Sequence, residues 1–369
     1  MMGSVTHGWR GNQPANSAAI SFWTGYNGPK FLNIVPSGSG SRLAHRRATL
    51  ERSLVVHYRS FRNNDSPSLV AIWNEAFTAR GAVRLRHSSP LENYVFAKPY
   101  FDAAGLILAV DNDVPVGFAH AGFGPSRDLT ALDQTTGLTC LIGVRPSHQR
   151  RGIGSELLRR CEDYLRSRGG QALLAGPMAP YTPFYFGLYG GSDMPGFLAS
   201  DPEADSFLQR HGYQVQQACV LFQRMLSQPV NIVDGRFPAL RKRYEVRIVP
   251  RIQAGNWWEE CTLGPVEVVE FHLLDKTTDQ VVGRTSVWEM DLFSWRWSQP
   301  AVGILQVEVQ PEHRRQGLAK FLLAHMLRYL QEQYFGLTEV HVLEENQPCI
   351  KLFQSLGFEQ VDTGRLYRK

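Results

Sequence analysis

Acidic side chains are missing from the first 50 residues. Arg10, Lys30, Arg42, Arg46 and Arg47 give that segment a charge equal to the whole formal net charge of +5. Residues 51–369 therefore balance to zero, and the body of the chain has no electrostatic footprint for nucleic acid. Long apolar runs are missing too. No stretch reaches 18 uninterrupted apolar residues, so the sequence offers no helix able to span a membrane. Cysteine is sparse, and Cys140, Cys161, Cys219, Cys261 and Cys349 form no C-x-x-C pair. That argues against a zinc ribbon or a disulfide framework, predicts no bound metal, and fits reduced thiols in the cytoplasm. Residues 1–50 lack strand or helix periodicity and read as a loose tail or an over-long translation start. Their acid-free, Ser- and Arg-bearing composition also fits a transit peptide, without a clear amphipathic helix.

What is present is ordinary globular material, 369 residues with 43% hydrophobic and 20% charged, a length that favours two domains. The informative feature is an internal repeat. Leu141-Ile-Gly-Val-Arg-Pro-Ser-His-Gln-Arg-Arg-Gly-Ile-Gly154 matches Gln306-Val-Glu-Val-Gln-Pro-Glu-His-Arg-Arg-Gln-Gly-Leu-Ala319 at an offset of 165 residues. The helices that follow agree as well. Ile153, Leu157, Leu158, Cys161, Tyr164 and Leu165 fall on Leu318, Leu322, Leu323, Met326, Tyr329 and Leu330, one apolar face each. Arg159, Arg160 and Glu162 are expected on the opposite, charged face.

Each copy closes on a short helix, a glycine and an aromatic residue, at Gly212-Tyr213 and Gly357-Phe358. The first copy takes about 20 residues more to reach its glycine, and the extra segment is assigned to 176–200. The periodicities predict strands over 54–62, 106–110, 114–120, 138–144 and 214–223, with helices over 66–77, 90–101 and 152–168. In the second copy they predict strands over 244–249, 266–274, 280–289, 304–309 and 339–343, with a helix over 317–334. The expected fold class is α/β with mixed sheets, in two tandem domains at 51–225 and 244–369. Residues 226–243 are the expected linker and 1–50 the tail.

In both repeats a strand stops near proline, a basic and amide-rich loop follows, and Gly-x-Gly or Gly-x-Ala opens a helix. Glycine lets the backbone approach a ligand, and the unsatisfied first-turn amides make an anion site suited to a pyrophosphate. It is neither a Walker loop nor a complete dinucleotide fingerprint.

Together these motifs resemble the GNAT acyltransferases, over roughly 54–225 and 244–369, in a tandem form. The resemblance implies acetyl transfer from acetyl-CoA to an amine on a small molecule or peptide. It implies cofactor contacts from Gln149, Arg150, Arg151, Gly152, Ile153, Gly154 and Ser155 in the first copy. The second-copy counterparts are Arg314, Arg315, Gln316, Gly317, Leu318, Ala319 and Lys320. Main chain near Val144 and Val309 is expected to pair with the pantetheine arm, and Asn346 to contact its side. No counterpart of Asn346 is evident in the first copy.

The family's proton-donating tyrosine is replaced by Leu208 and Phe353. Glu308 is a candidate base on the strand before the second loop. Tyr185 and Tyr189, in the inserted segment, are candidate replacement acids. That segment is expected either to pack over the first domain or to wall an acceptor pocket. Trp257, Trp258, Trp288, Trp295 and Trp297 are expected in core and inter-copy packing. The second copy has the fuller cofactor set. The spare tyrosines and the two helices before residue 101 favour chemistry in the first. A non-catalytic acyl-CoA-binding or sensing module is the alternative function.

Overall fold

The strand alternation and helix periodicity of both repeats are realised in one sheet, seen in a computed structural model that describes residues 56–251 and 253–369. The expected tail lies outside the described residues. In the first copy the order is β1 (His57–Ser60), α1 (Ser66–Ala76), α2 (Ser89–Leu91), β2 (Leu106–Asp111), β3 (Val114–Pro125) and β4 (Leu132–Val144). Then come α3 (Ile153–Ser167), β5 (Ala172–Ala175), β6 (Phe197–Leu198), α4 (Pro202–Arg210) and β7 (Gln214–Met225). The second copy runs α5 (Phe237–Arg243), β8 (Tyr244–Pro250), α6 (Trp257–Leu263), β9 (Val268–Asp275), β10 (Gln280–Glu289) and α7 (Asp291–Trp297). It ends with β11 (Ala301–Val309), α8 (Leu318–Glu332), β12 (Leu337–Leu343), α9 (Gln347–Ser355) and β13 (Glu359–Arg368).

Local chemistry explains most boundaries. Asn112 and Asp113 take positive φ, 48° and 64°, in the two-residue turn that joins β2 to β3. The helix expected over 90–101 is much shorter. After α2 the chain makes one π turn, Glu92–Phe96, and leaves the helix at Ala97, two residues before Pro99. The linker contains a helix, α5, whose Phe237 packs on Phe321 of α8 with ring centroids 5.3 Å apart. Residues 176–200 form no helix, as their glycines and prolines require.

Apolar faces of α3 and α8 lie where the repeat puts them, with Ile153, Leu157, Leu158, Cys161 and Leu165 buried on α3. Glu162 departs from the expected charged face. It is buried, and the ammonium of Lys369 donates to it at 2.8 Å from the end of β13.

The sheet order is β1-β2-β3-β4-β5-β13-β7-β12-β11-β10-β9-β8, a single path through both copies, with β6 attached to β13. β4 pairs in parallel with β5 only from Thr136↔Ala172 to Thr139↔Ala175, and beyond that the two strands part. β11 and β12 repeat this, pairing from Ala301↔Leu337 to Ile304↔Val340 before they separate. Both copies therefore have an opening in the sheet that runs on to their glycine loop.

The two terminal strands are exchanged. β13, from the end of the chain, lies against β5 of the first copy, with Tyr367 opposite Ala175. β7, from the first copy, lies against β12 of the second, from Leu337↔Met225 to Leu343↔Cys219. One hydrophobic cluster underlies the first copy and the insertion, and another the second copy.

Candidate functional site

The two glycine loops adopt the same backbone. Arg150 and Gly152 have φ of 62° and 79°, and Arg315 and Gly317 have 64° and 87°. At both, proline starts a short 3-10 turn after the strand, and the positive-φ glycine is the N-cap of a 15-residue helix. The first-turn amides of such a helix have no partner within it and carry the positive end of its dipole. Gln149 Nε2 donates to the Val144 carbonyl at 3.0 Å, and Arg314 Nε to the Val309 carbonyl at 2.9 Å. These side chains brace the loop against the strand that feeds it.

The surroundings of the two loops differ. A cavity of about 710 Å³ lies against the first. Its walls are Phe77–Ala79 after α1, Ile142–Val144 of β4, the loop residues Gln149, Arg150, Gly152, Gly154 and Ser155, Phe197, Ser200, Asp201, and Glu203, Ala204, Phe207, Leu208, Arg210 and His211 on and after α4. A Cβ placed on Gly152 would meet nothing within 4 Å, so this cradle is open. The same atom on Gly317 would stand 2.7 Å from the guanidinium carbon of Arg236, in the segment before α5. Asp234 grips Arg236 through 2.7 and 2.8 Å bonds, and Lys320 stands 3.5 Å from the same carboxylate. Hydrogen bonding from Arg236 holds the Asp234 carboxyl well below the usual carboxylate range. The linker thus places a charged pair of its own on the second loop.

Of the expected cofactor residues, Val144, Gln149, Arg150, Gly152, Gly154 and Ser155 line the cavity. Arg151 is exposed beside it, and Ile153 anchors α3 in the core. In the second copy Val309, Arg314, Arg315, Gln316, Gly317, Leu318, Ala319 and Lys320 repeat the loop, with Leu318 buried. Asn346 is the N-cap of α9, where its side chain accepts from Cys349 N at 3.2 Å.

By position, Asp201 of the first copy corresponds to Asn346. α4 and α9 both have nine residues. Asp201 stands eleven positions before Gly212, as Asn346 stands eleven before Gly357. Counting back from the repeated glycine, rather than forward through the insertion, would have found it. Unlike Asn346, the Asp201 side chain does not cap its helix. It faces the cavity and accepts the Tyr189 hydroxyl at 2.6 Å.

The candidate catalytic residues are dispersed. Tyr189 is buried behind the cavity wall. Tyr185 is buried outside the cavity lining, its hydroxyl 2.9 Å from His120 Nδ1 and its ring stacked on Trp73. Burial lowers His120 to about 3, so the imidazole is neutral, and burial raises the Tyr185 phenol well above its ordinary value. Glu308 is on the surface, paired with Arg284 at 3.0 Å. Leu208 and Phe353 are buried apolar residues at the positions where the family's tyrosine is expected.

The insertion joins the copies. Phe184, Tyr185, Phe186, Leu188 and Tyr189 are buried in the first cluster, and Phe197 and Ser200 reach the cavity wall. Trp258 Nε1 donates to the Pro180 carbonyl and Trp288 Nε1 to that of Ser192. Trp297 Nε1 donates to the Arg80 carbonyl at 3.3 Å, while Trp295 stays exposed under the Arg86 guanidinium. Fully buried Glu339 on β12 accepts from Arg80 Nη2, from Gln223 and from the Ser192 amide at 2.6, 2.6 and 2.9 Å. Burial alone would push Glu339 up, but His341 and Arg80 outweigh it and hold the carboxyl below its usual range.

Among the described residues, no group of three or more His, Cys, Asp or Glu could hold a metal ion, and no helix is long and apolar enough to cross a membrane. The model of the GNAT acetyltransferase family matches residues 66–185 and 239–358, one match in each copy. A mycothiol acetyltransferase of Saccharomonospora viridis is 26% identical over 241 residues, which cover 61% of this chain and 72% of that protein. A ribosomal protein bS18-alanine N-acetyltransferase of Escherichia coli K12 is 31% identical over 64 residues, 17% of this chain and 43% of that one. A solved tandem GNAT protein from the clavulanic acid biosynthesis pathway superposes with a TM-score of 0.58 at 17% identity. It covers 85% of this chain and 98% of its own, a likeness of fold.

Proposed function

Because this chain belongs to the GNAT acetyltransferase family in tandem form, with acetyl transfer to an amine as its chemistry, we propose that its first copy binds acetyl-CoA and acetylates a small-molecule or peptide amine. The working units follow the repeats, 51–225 and 244–369 about a 226–243 linker, except that each takes its last strand from the other, in a reducing, cytoplasmic setting. The observation that carries this reading is the contrast between the loops. Gly152 opens onto a cavity of about 710 Å³, whereas Gly317 lies under Arg236.

The pyrophosphate of the cofactor binds the free amides at 153–155, beside Arg150 and Arg151. The pantetheine arm lies along the edge of β4 that β5 leaves open beyond Thr139, adding to it like a strand. The thioester then reaches the part of the cavity walled by Phe77, Phe197 and Leu208, with Asp201 among its polar lining groups. Holding thioester and amine together supplies much of the rate, up to ~7–11 kcal/mol. Chemistry therefore does not need a tyrosine at position 208.

Calorimetry with coenzyme A tests the choice of copy. Gly152→Glu puts a bulky anion into the cradle and forces an L-residue into the left-handed region at ~1–2 kcal/mol. It should reduce affinity at least tenfold, while Gly317→Glu leaves affinity within about twofold of wild type. The reverse pattern assigns the cofactor to the second copy. Binding without thiol release across a panel of amines would favour the sensing module.

A further inference from the structure

Resting on that reading, we propose that the Asp201 carboxylate accepts the proton of the attacking amine in the first copy. Four observations lead there. Asp201 lines the cavity and holds the N-cap position of α4 without spending its side chain on the helix. The Tyr189 hydroxyl accepts from the Leu198 amide at 3.1 Å, so its own proton points at Asp201 Oδ2, 2.6 Å away. One carboxylate oxygen is thereby fixed, and the other, Oδ1, has no hydrogen-bond partner among the described residues. The other acidic residue of the lining, Glu203, is exposed and turned to Arg150.

Alternatives on the strand are closed. Thr139 and Cys140 are fully buried, and burial raises the Cys140 thiol well above its ordinary value. His211 also lines the cavity; its Nδ1 donates to the Phe207 carbonyl at 2.8 Å, which leaves Nε2 as the competing acceptor there.

The environment also suits a base. Burial raises the Asp201 carboxyl, the Tyr189 hydrogen bond pulls it back, and the charge of Asp362 raises it again. The groups around it are Tyr189 from the insertion, Asp362 from β13, held by Ser200 at 2.6 Å, and Glu203 and Asp205 on α4. Asp205 is itself paired with Arg365 of β13. A carboxylate raised toward neutrality is a better proton acceptor at working pH.

In the step, the amine lone pair attacks the thioester carbon and the N–C bond forms. The nitrogen loses its proton to Asp201 Oδ1, and the C–S bond breaks with its electrons on sulfur. The thiolate leaves and takes that proton from Asp201, which restores the carboxylate.

The test uses the full chain, with thiol release as the rate, an amine of known pKa as acceptor, and calorimetry for coenzyme A. Asp201→Asn keeps the acceptor for Tyr189 but cannot take a proton. It should lower kcat ~10²–10⁴-fold and remove the acidic limb of the pH–rate profile, with coenzyme A affinity unchanged. Tyr189→Phe removes a bond to the charged carboxylate, so the acidic limb should move to higher pH while the limb of the amine itself stays fixed. An Asp201→Asn protein that keeps kcat, or that loses only coenzyme A affinity, overturns the assignment and leaves the first-copy site standing. A Gly152→Glu protein that binds coenzyme A like wild type overturns both. If Asp201→Asn does not fold, the direction of the Tyr189→Phe shift decides alone.

Discussion

Tyr185 and His120 illustrate how burial fixes what a side chain can do. Their hydrogen bond lies between neutral partners inside an aromatic shell of Trp73, Phe101 and Phe184. Nε2 of the imidazole already lacks a partner. Tyr185→Phe would leave Nδ1 unpaired too, and should cost about 1–3 kcal/mol in denaturant unfolding. Tyr189, four residues on, is equally buried, yet its partner is a cavity carboxylate. The tyrosine spacing was plain in the sequence. Which hydroxyl meets a histidine and which an aspartate was not, because both partners come from other segments. Glu308 makes the opposite point. It lies near the second loop in sequence, but at 47% side-chain exposure its pairing with Arg284 is a surface contact worth ~0–1 kcal/mol.

Among the elements, those written as local periodicity were legible, namely α3, α8 and the β2–β3 hairpin. So were the glycine loops, because each was seen twice. Elements that depend on distant partners were not. The helix expected over 90–101 stops at Phe96, short of Pro99, β4 begins six residues before its expected start, and Glu162 is drawn inward by Lys369 at the far end of the sequence. The segment before α5 reads as a linker, and nothing local announces that Arg236 will lie on Gly317. Strand β12 carries another such feature, the fully buried Glu339 paired with Arg80. Glu339→Ala would strand that guanidinium, one of whose nitrogens is already unpartnered, and should destabilise the protein by about 3–5 kcal/mol. The pH dependence has a definite sign. Because folding depresses the Glu339 carboxyl, its contribution is present above the ordinary glutamate range and is lost as pH falls through the depressed value. Acid unfolding followed by circular dichroism should therefore begin at higher pH in Arg80→Met than in wild type.

At the scale of the whole molecule, the repeat predicts two copies, and the sheet that joins them was not expected. Exchange of β7 and β13 leaves neither half with its own last strand in place. Residues 54–225 and 244–369 expressed apart should each fail to give a cooperative unfolding transition, and co-expressed they should purify as one complex. Size-exclusion chromatography with circular dichroism reads both outcomes. The exchange also sets a clock on synthesis. As the chain leaves the ribosome from its N-terminus, β5 waits for a neighbour encoded far downstream, residues 359–368. Until residues 359–368 have emerged the first cradle has an incomplete floor, and a chain that lacks them disarms a site laid down two hundred residues before it.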